Sequence, residues 1–209
     1  MQVVILSGFL GSGKTSLLMG LARFLAREAT KGDAPRVIIL ENEVGDKGVD
    51  DALLKNRGFQ VENLFAGCAC CTVGGELIRA VSYIEETYAP DWMILETTGL
   101  AYPGLIRDNL KAACNKDCRI CTVVDAQRWK RIRKPMETLL TGQISCADVT
   151  LINKTDLATE EEIQLCETDI YRIQPETCCV RTCATTGQSD NVWKLVLGED
   201  NSQHKPDMQ

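Results

Sequence analysis

Apolar and polar residues alternate in blocks along this chain. Short apolar runs stand at Val3–Ser7, Arg36–Leu40, Trp92–Leu95, Ile120–Val124 and Val149–Ile152, with a weaker sixth at Cys178–Thr182. Such runs predict strands buried on both faces. Gln60–Phe65 reads as a further strand. Helix-like stretches fall between them, at Lys14–Glu28, Glu76–Tyr88, Gly104–Ala113, Pro135–Ser145 and Thr159–Ile173. Thr159 followed by three glutamates supplies a capping residue and an acidic first turn for the last of these. Asp33-Ala34-Pro35 marks a loop before the second strand. The alternation is that of an α/β domain, a mostly parallel sheet covered by helices on both faces. No internal repeat or linker interrupts it, so residues 1–198 read as one domain and 199–209 as a polar, disordered tail.

The first strand leads straight into Gly8-Phe9-Leu10-Gly11-Ser12-Gly13-Lys14-Thr15, a complete GxxxxGK[ST] phosphate-binding loop, which makes the predicted fold a P-loop NTPase. Its glycines let the backbone approach phosphate oxygens closely. Lys14 supplies a point charge at the β- and γ-phosphates, and Thr15 offers a hydroxyl to Mg²⁺. The helix that starts here aims its positive end at the same anions. The expected nucleotide contacts run through Gly8, Gly11, Ser12, Gly13, Lys14, Thr15 and Ser16.

Asn153-Lys154-Thr155-Asp156 follows the strand Val149–Ile152. In this NKxD pattern the carboxylate accepts from the N1–H and N2 amino group of guanine. Adenine has neither donor and would leave polar groups unpaired. An Asn/Asp pair after a strand also serves as a plain turn, but a late strand is where a base-reading loop is needed. Asn153, Lys154, Asp156 and the backbone N–H of Ala184 form the expected base site. The strand Trp92–Leu95 runs into Glu96, with Gly99 three residues on. Glu96 is placed to hold Mg²⁺ or its water, and Gly99 to donate its N–H to a γ-phosphate. The plainer alternative for Glu96 is a carboxylate capping the next turn. Asn42-Glu43-Val44-Gly45 lies just past the second strand, where phosphate-sensing segments sit. Lys14, Thr15, Glu43 and Glu96 are the expected catalytic set, the last three toward Mg²⁺.

At 209 residues and 44% hydrophobic, the chain is large enough for one full core. It has no apolar stretch long enough to cross a bilayer, so no membrane span is expected. The net charge of −6 and the lack of a basic block argue against nucleic acid as a partner. Arg128, Arg131, Arg133 and Lys134 read as solvated surface, with a partner contact as the alternative. The opening stretch, taken up by the first strand and the phosphate loop, lacks signal-peptide features, which makes a cytoplasmic location the expectation.

Eleven cysteines are many for such a chain, and the one histidine, His204, lies in the tail. Thiols kept reduced in the cytosol are better read as metal ligands or redox groups when they cluster. Cys68, Cys70 and Cys71 form a soft-metal clamp. Three thiolates plus a carboxylate or water suit tetrahedral Zn²⁺ or Co²⁺. Adjacent Cys70 and Cys71 point differently, so two of the three binding at once is the alternative, with Glu43 or a second subunit completing the site. Small buried hydrophobes are the plain alternative for all three. Cys114 and Cys118, with Cys178 or Cys179, read first as separate buried or surface thiols, with a second metal or iron–sulfur site as the alternative, whereas Cys121 lies in an apolar strand and reads as core.

Together these motifs resemble the CobW-type metal-insertion GTPases, relatives of the UreG and HypB nickel chaperones. Five motifs stand in order as GFLGSGKT, NEVGDKGVD, GCACCT, ETTGLAYP and NKTD, at Gly8–Thr15, Asn42–Asp50, Gly67–Thr72, Glu96–Pro103 and Asn153–Asp156. The resemblance covers about residues 1–190. It implies a Mg²⁺-dependent GTPase that binds GTP and GDP, carries Zn²⁺ or Co²⁺ at the CxCC motif, and releases it to a protein or cobalamin-pathway target. A homodimer is a further candidate partner, to complete the metal site or to speed turnover. Family members usually carry a second C-terminal domain and often a histidine-rich stretch. Neither is seen in these residues, so a GTPase domain alone is expected. No glutamine stands where a water-orienting residue is expected, which predicts slow intrinsic turnover. Two rivals remain at this point. One is a GTPase gating assembly of a cobalamin-dependent enzyme without carrying metal, and the other is an iron–sulfur or redox sensor with a nucleotide site.

Overall fold

Successive residues of a strand point to opposite sides of the sheet, and in the first strand both sides are apolar. Val3, Val4, Ile5 and Leu6 are all buried, Val4 and Leu6 in one core and Val3 and Ile5 in another. A strand buried on both faces needs helices above and below, and the computed structural model, which describes residues 1–29, 36–41, 60–63 and 73–199, supplies them.

The described elements are β1 (Gln2–Ser7), α1 (Lys14–Ala29), β2 (Val37–Glu41), β3 (Gln60–Asn63), α2 (Val73–Tyr88), β4 (Trp92–Glu96) and α3 (Pro103–Cys114). They continue with β5 (Cys118–Asp125), α4 (Ala126–Ile132), α5 (Glu137–Ile144), β6 (Val149–Asn153), a short 3₁₀ turn (Thr155–Leu157), α6 (Glu160–Ile173), β7 (Cys178–Arg181) and α7 (Asp190–Leu197). The strands form one seven-stranded sheet in the order β3-β2-β4-β1-β5-β6-β7. Every pairing is parallel. The predicted α/β, P-loop-type architecture is therefore present, with its helices on both faces.

One face packs α1 and α7 on β1, β4, β5 and β6, through Leu17, Leu18, Leu21, Phe24, Trp193 and Val196. The other packs α2 and α3 on β1, β2 and β4, through Leu77, Val81, Ile84, Ile106 and Leu110. A third cluster joins α4, α5 and α6 around Trp129, Ile144 and Ile163. Each such fully buried side chain contributes roughly 1.5–3 kcal/mol.

The capping predicted for the 159–173 helix is realised. The Thr159 side chain accepts from the Glu162 N–H at 3.3 Å, and Glu162 Oε2 accepts from the Thr159 N–H at 3.0 Å. Two helices depart from the sequence reading. Residues 126–132, where no element was expected, form α4, and Asp190–Leu197, read as no element, forms α7. The expected segment Asn42–Asp50, with Glu43, lies outside the described residues, as do Cys68, Cys70, Cys71 and the tail beyond Glu199. No helix among the described residues is long and apolar enough to cross a membrane.

Candidate functional site

Because all strands run the same way, the loops leaving the C-terminal ends of β1, β4, β5 and β6 open on one edge of the sheet. Central β1 lies between β4 and β5, and a crevice beyond the carboxyl ends of such strands is where open α/β sheets take ligands. The loop from Gly8 to Lys14 occupies this place. It is tightly packed from behind. A Cβ on Gly8, whose φ is +140°, would lie 2.2 Å from the Val123 carbonyl oxygen. One on Gly13, at φ +101°, would lie 2.3 Å from Asn153 Nδ2. Neither position admits another residue without moving backbone or a buried amide. The loop turns into α1 at Lys14, which is buried, while Thr15 and Ser16 are exposed.

Asn153 ends β6 and is 1% exposed. Its Nδ2 donates to the Ser12 carbonyl at 2.8 Å, and its Oδ1 accepts from the Ala184 N–H at 3.0 Å. The sequence reading assigned that N–H to a nucleobase; here it orients Asn153. Lys154, in the left-handed region at φ +62°, sends its Nζ to the Gly11 carbonyl at 2.8 Å and to Asp125 Oδ2 at 2.7 Å. The NKTD segment is thereby bonded to the glycine-rich loop at two successive carbonyls. Asp156 is exposed at the start of the 3₁₀ turn.

Thr15 and Glu96 are brought together from positions 81 residues apart. The Thr15 hydroxyl donates to Glu96 Oε1 at 2.9 Å, and Glu96 is 4% exposed at the end of β4. Among the described residues, the buried side-chain oxygens without a hydrogen-bond partner are Ser7 Oγ, Ser12 Oγ and Thr97 Oγ1. These are the end of β1, the loop itself and the residue after Glu96. Native structures rarely leave buried hydroxyls unpaired, and three at one strand edge mark that edge as suited to a polar ligand. Gly99 backs onto the loop, with a Cβ position 2.7 Å from the Leu10 nitrogen.

Three residues here carried no assignment in the sequence, or a wrong one. Asp125 ends β5 in register with Asn153. Its carboxylate caps α4 by accepting from the Arg128 N–H at 3.0 Å, and takes the Arg128 Nε at 2.7 Å. Burial pushes the Asp125 carboxyl up, but the hydrogen bonds from Lys154 and Arg128 outweigh it and hold it below the usual carboxylate range. Arg128, read as solvated surface, instead reaches the Leu10 carbonyl. An acid closing a central strand and followed three residues later by Arg was the signal available. Gln143, on α5 and buried, donates through Nε2 to the carbonyls of Gly99 at 3.1 Å and Ala101 at 3.0 Å, fixing the segment after Glu96. Nothing in the local sequence marked it.

The candidate second cysteine site is not assembled. Cys114 and Cys118 pack against the core beneath α3, Cys178 against the core on the opposite face, and Cys179 beside α6. Burial first, then the charge of Asp117, pushes the Cys118 thiol up to about 11, and burial takes Cys121 and Cys179 to about 12. No cluster of three metal-ligating side chains occurs among the described residues. Cys121 is fully buried, as its strand position predicted.

The family model described as CobW/HypB/UreG, nucleotide-binding domain, matches residues 2–181. The zinc-regulated GTPase metalloprotein activator 1 of Schizosaccharomyces pombe is 34% identical over 97% of this chain and 51% of its own length. The zinc chaperone YjiA of Escherichia coli is 32% identical over 77% of this chain and 51% of its own length. The chain thus spans about half the length of the curated relatives it matches. Among solved structures, the hydrogenase maturation factor HypB of Archaeoglobus fulgidus aligns with a TM-score of 0.65 at 18% identity, covering 92% of this chain and 86% of its own. The Zn(II)-bound YjiA GTPase of E. coli aligns at 0.63 and 22% identity, covering 95% and 62%. These two likenesses show a shared fold. With the family model covering most of the chain and the S. pombe relative matching nearly all of it, this chain belongs to the CobW/HypB/UreG family of P-loop GTPases.

Proposed function

We propose that the domain binds GTP and GDP at the Gly8–Ser16 loop, hydrolyses GTP with Mg²⁺, and uses the nucleotide state to control a zinc ion held by Cys68, Cys70 and Cys71. The observation that carries the nucleotide part is the bonding of Asn153 and Lys154 to the Ser12 and Gly11 carbonyls. It makes the phosphate loop and the base-reading loop one preorganised site. Asp156, exposed beside it, takes the guanine edge, and Lys14 carries charge at the transferring phosphate. Gly99 stands beside the loop, where its N–H can meet a γ-phosphate, and Gln143 holds it there.

Thr15 and Glu96 fit Mg²⁺, a hard cation taking oxygen ligands, because the structure pairs a hydroxyl with a buried carboxylate and no softer donor. Glu43 is the third candidate. Held there, Mg²⁺ would supply positive charge to neutralise phosphate oxygens during transfer. The cargo metal rests on the CxCC motif and on the names of the relatives, zinc chaperones and a zinc-regulated activator. Co²⁺ suits the same ligands, and a metalloprotein target follows from the first of those names.

The test has two arms. Calorimetry should show GDP bound far more tightly than ADP, with Lys14→Ala abolishing GTP turnover in a folded domain. Zn²⁺ titrated with Mg²⁺ and a non-hydrolysable GTP analogue, then with Mg²⁺-GDP, should give affinities differing roughly 5–150-fold. Equal GDP and ADP affinity removes the guanine assignment. Equal zinc affinity in both states, or full zinc binding after all three cysteines become serine, removes the metal switch.

A further inference from the structure

Peptide groups of a phosphate loop act at both ends. The N–H groups face the anion, and the carbonyls on the other side are left to the protein. Here three successive carbonyls are each taken by a side chain from elsewhere. Ser12 accepts from Asn153 Nδ2 at 2.8 Å, Gly11 from Lys154 Nζ at 2.8 Å, and Leu10 from Arg128 Nη2 at 2.5 Å. The first two donors belong to the NKTD segment. The third comes from α4, which the nucleotide motifs do not include.

We propose that Arg128 is a positioning residue for phosphate binding. It acts through the Leu10 carbonyl, fixing the loop and polarising the Leu10–Gly11 peptide so that the Gly11 N–H becomes a stronger donor to phosphate oxygen. Hydrogen bonds in series strengthen one another in this way, and a charged donor is about twice as strong as a neutral one. The guanidinium is held for the task. Its Nε is bonded to Asp125 Oδ2 at 2.7 Å while Nη2 reaches Leu10, a two-pronged geometry that a planar fork satisfies in one rotamer. Asp125 is buried and is itself fixed by the Lys154 ammonium at 2.7 Å. One carboxylate therefore aligns two of the three donors behind the loop. Gly11 is part of the fit, since a Cβ there would stand 3.1 Å from Arg128 Nη2.

This inference rests on the reading of Gly8–Ser16 as the phosphate site, and the experiment separates the two. The full chain is compared with Arg128→Ala, Arg128→Lys and Lys14→Ala. The Ala change leaves the cap of α4 intact, because the bond to Asp125 Oδ1 comes from the Arg128 backbone N–H. GDP affinity by calorimetry, GTP turnover, and the amide resonances of ¹⁵N-glycine-labelled protein with GDP bound are the readouts. Arg128→Ala should weaken GDP binding roughly tenfold, the size expected for losing a charged hydrogen bond. It should shift the Gly11 amide proton upfield and leave Gly8 in place. Arg128→Lys should recover part of both. Unchanged GDP affinity, or weaker binding with the Gly11 resonance unmoved, overturns the proposal while leaving the site assignment standing. GDP binding that survives Lys14→Ala overturns the site assignment, and this inference with it. Should the Ala variant not fold, Arg128→Gln carries the same readouts.

Discussion

Replacing Asn153 with alanine separates what the NKTD segment does for the fold from what it does for a base. Asn153 is 1% exposed, and its amide serves two backbone groups at once, the Ser12 carbonyl at 2.8 Å and the Ala184 N–H at 3.0 Å. Alanine leaves both behind without a partner. The buried Ser12 carbonyl so orphaned costs roughly 1–3 kcal/mol, and the half-buried Ala184 N–H adds less, so the ligand-free domain should lose about 1–4 kcal/mol. Thr182 is spared from this sum, because its hydroxyl also bonds the Ile152 carbonyl at 3.4 Å. For a domain of this size each kcal/mol moves the Tm by roughly 2–4 °C, so a fall of about 2–16 °C is expected. Asp156 supplies the contrast. It is exposed, and Asp156→Asn should change stability by less than about 0.5 kcal/mol while shifting nucleotide preference from guanine toward xanthine. The assay is guanidinium denaturation without nucleotide, checked for an unchanged m-value. An Asn153→Ala variant as stable as the parent would refute the reasoning, and so would an Asp156→Asn variant equally destabilised.

Asp125 has its folded-state pKa lowered, so the stability it contributes is fully present above the ordinary carboxylate value of about 3.9 and is lost as pH falls through the folded value. The stability gap between the parent and Asp125→Asn, measured by urea denaturation from neutral pH to pH 3, should therefore narrow on the acid side; a gap that widens contradicts the ion-pair assignment. Gly20→Ala should destabilise by about 1–2 kcal/mol in spite of better helix propensity, because the new Cβ would lie 2.6 Å from the Trp193 ring carbon Cζ2. A stabilised variant in thermal melts would show that α7 does not pack on α1 as described. Gln143→Ala should lower GTP turnover while GDP affinity changes little, since its bonds hold the Gly99 segment rather than the phosphate loop. An equal loss of both would give Gln143 a different place in the site.

What could be read in the sequence was what is written contiguously. The loop Gly8–Thr15, the Asn153–Asp156 segment and the acid closing β4 each announce themselves within a few residues, at the junction of a strand and the element after it. The cap at Thr159 is equally local, and its box closes as the three glutamates implied. The helix α4 was missed because only Ala126 and Trp129 of its seven residues are buried, too few to show a period against Gln127, Arg128, Lys130 and Arg131. Arg128 was misread for a deeper reason. A basic residue in a basic run looks solvated unless its partners are known; Asp125, three residues before it, was the one local cue, and the other partner, the Leu10 carbonyl, is 118 residues away and has no side chain to recognise. Gln143 is the same case, an amide serving two backbone carbonyls. The motifs therefore name the groups proposed to face a nucleotide, whereas the groups that hold those motifs in place bond largely to backbone and leave little trace in a local pattern. Asp125 joins the two kinds. Its register opposite Asn153 follows from parallel pairing of β5 with β6, and once that pairing is drawn, a buried carboxylate beside the NKTD lysine becomes a necessary partner for it. The sheet order, more than any further motif, is what converts these scattered residues into one site.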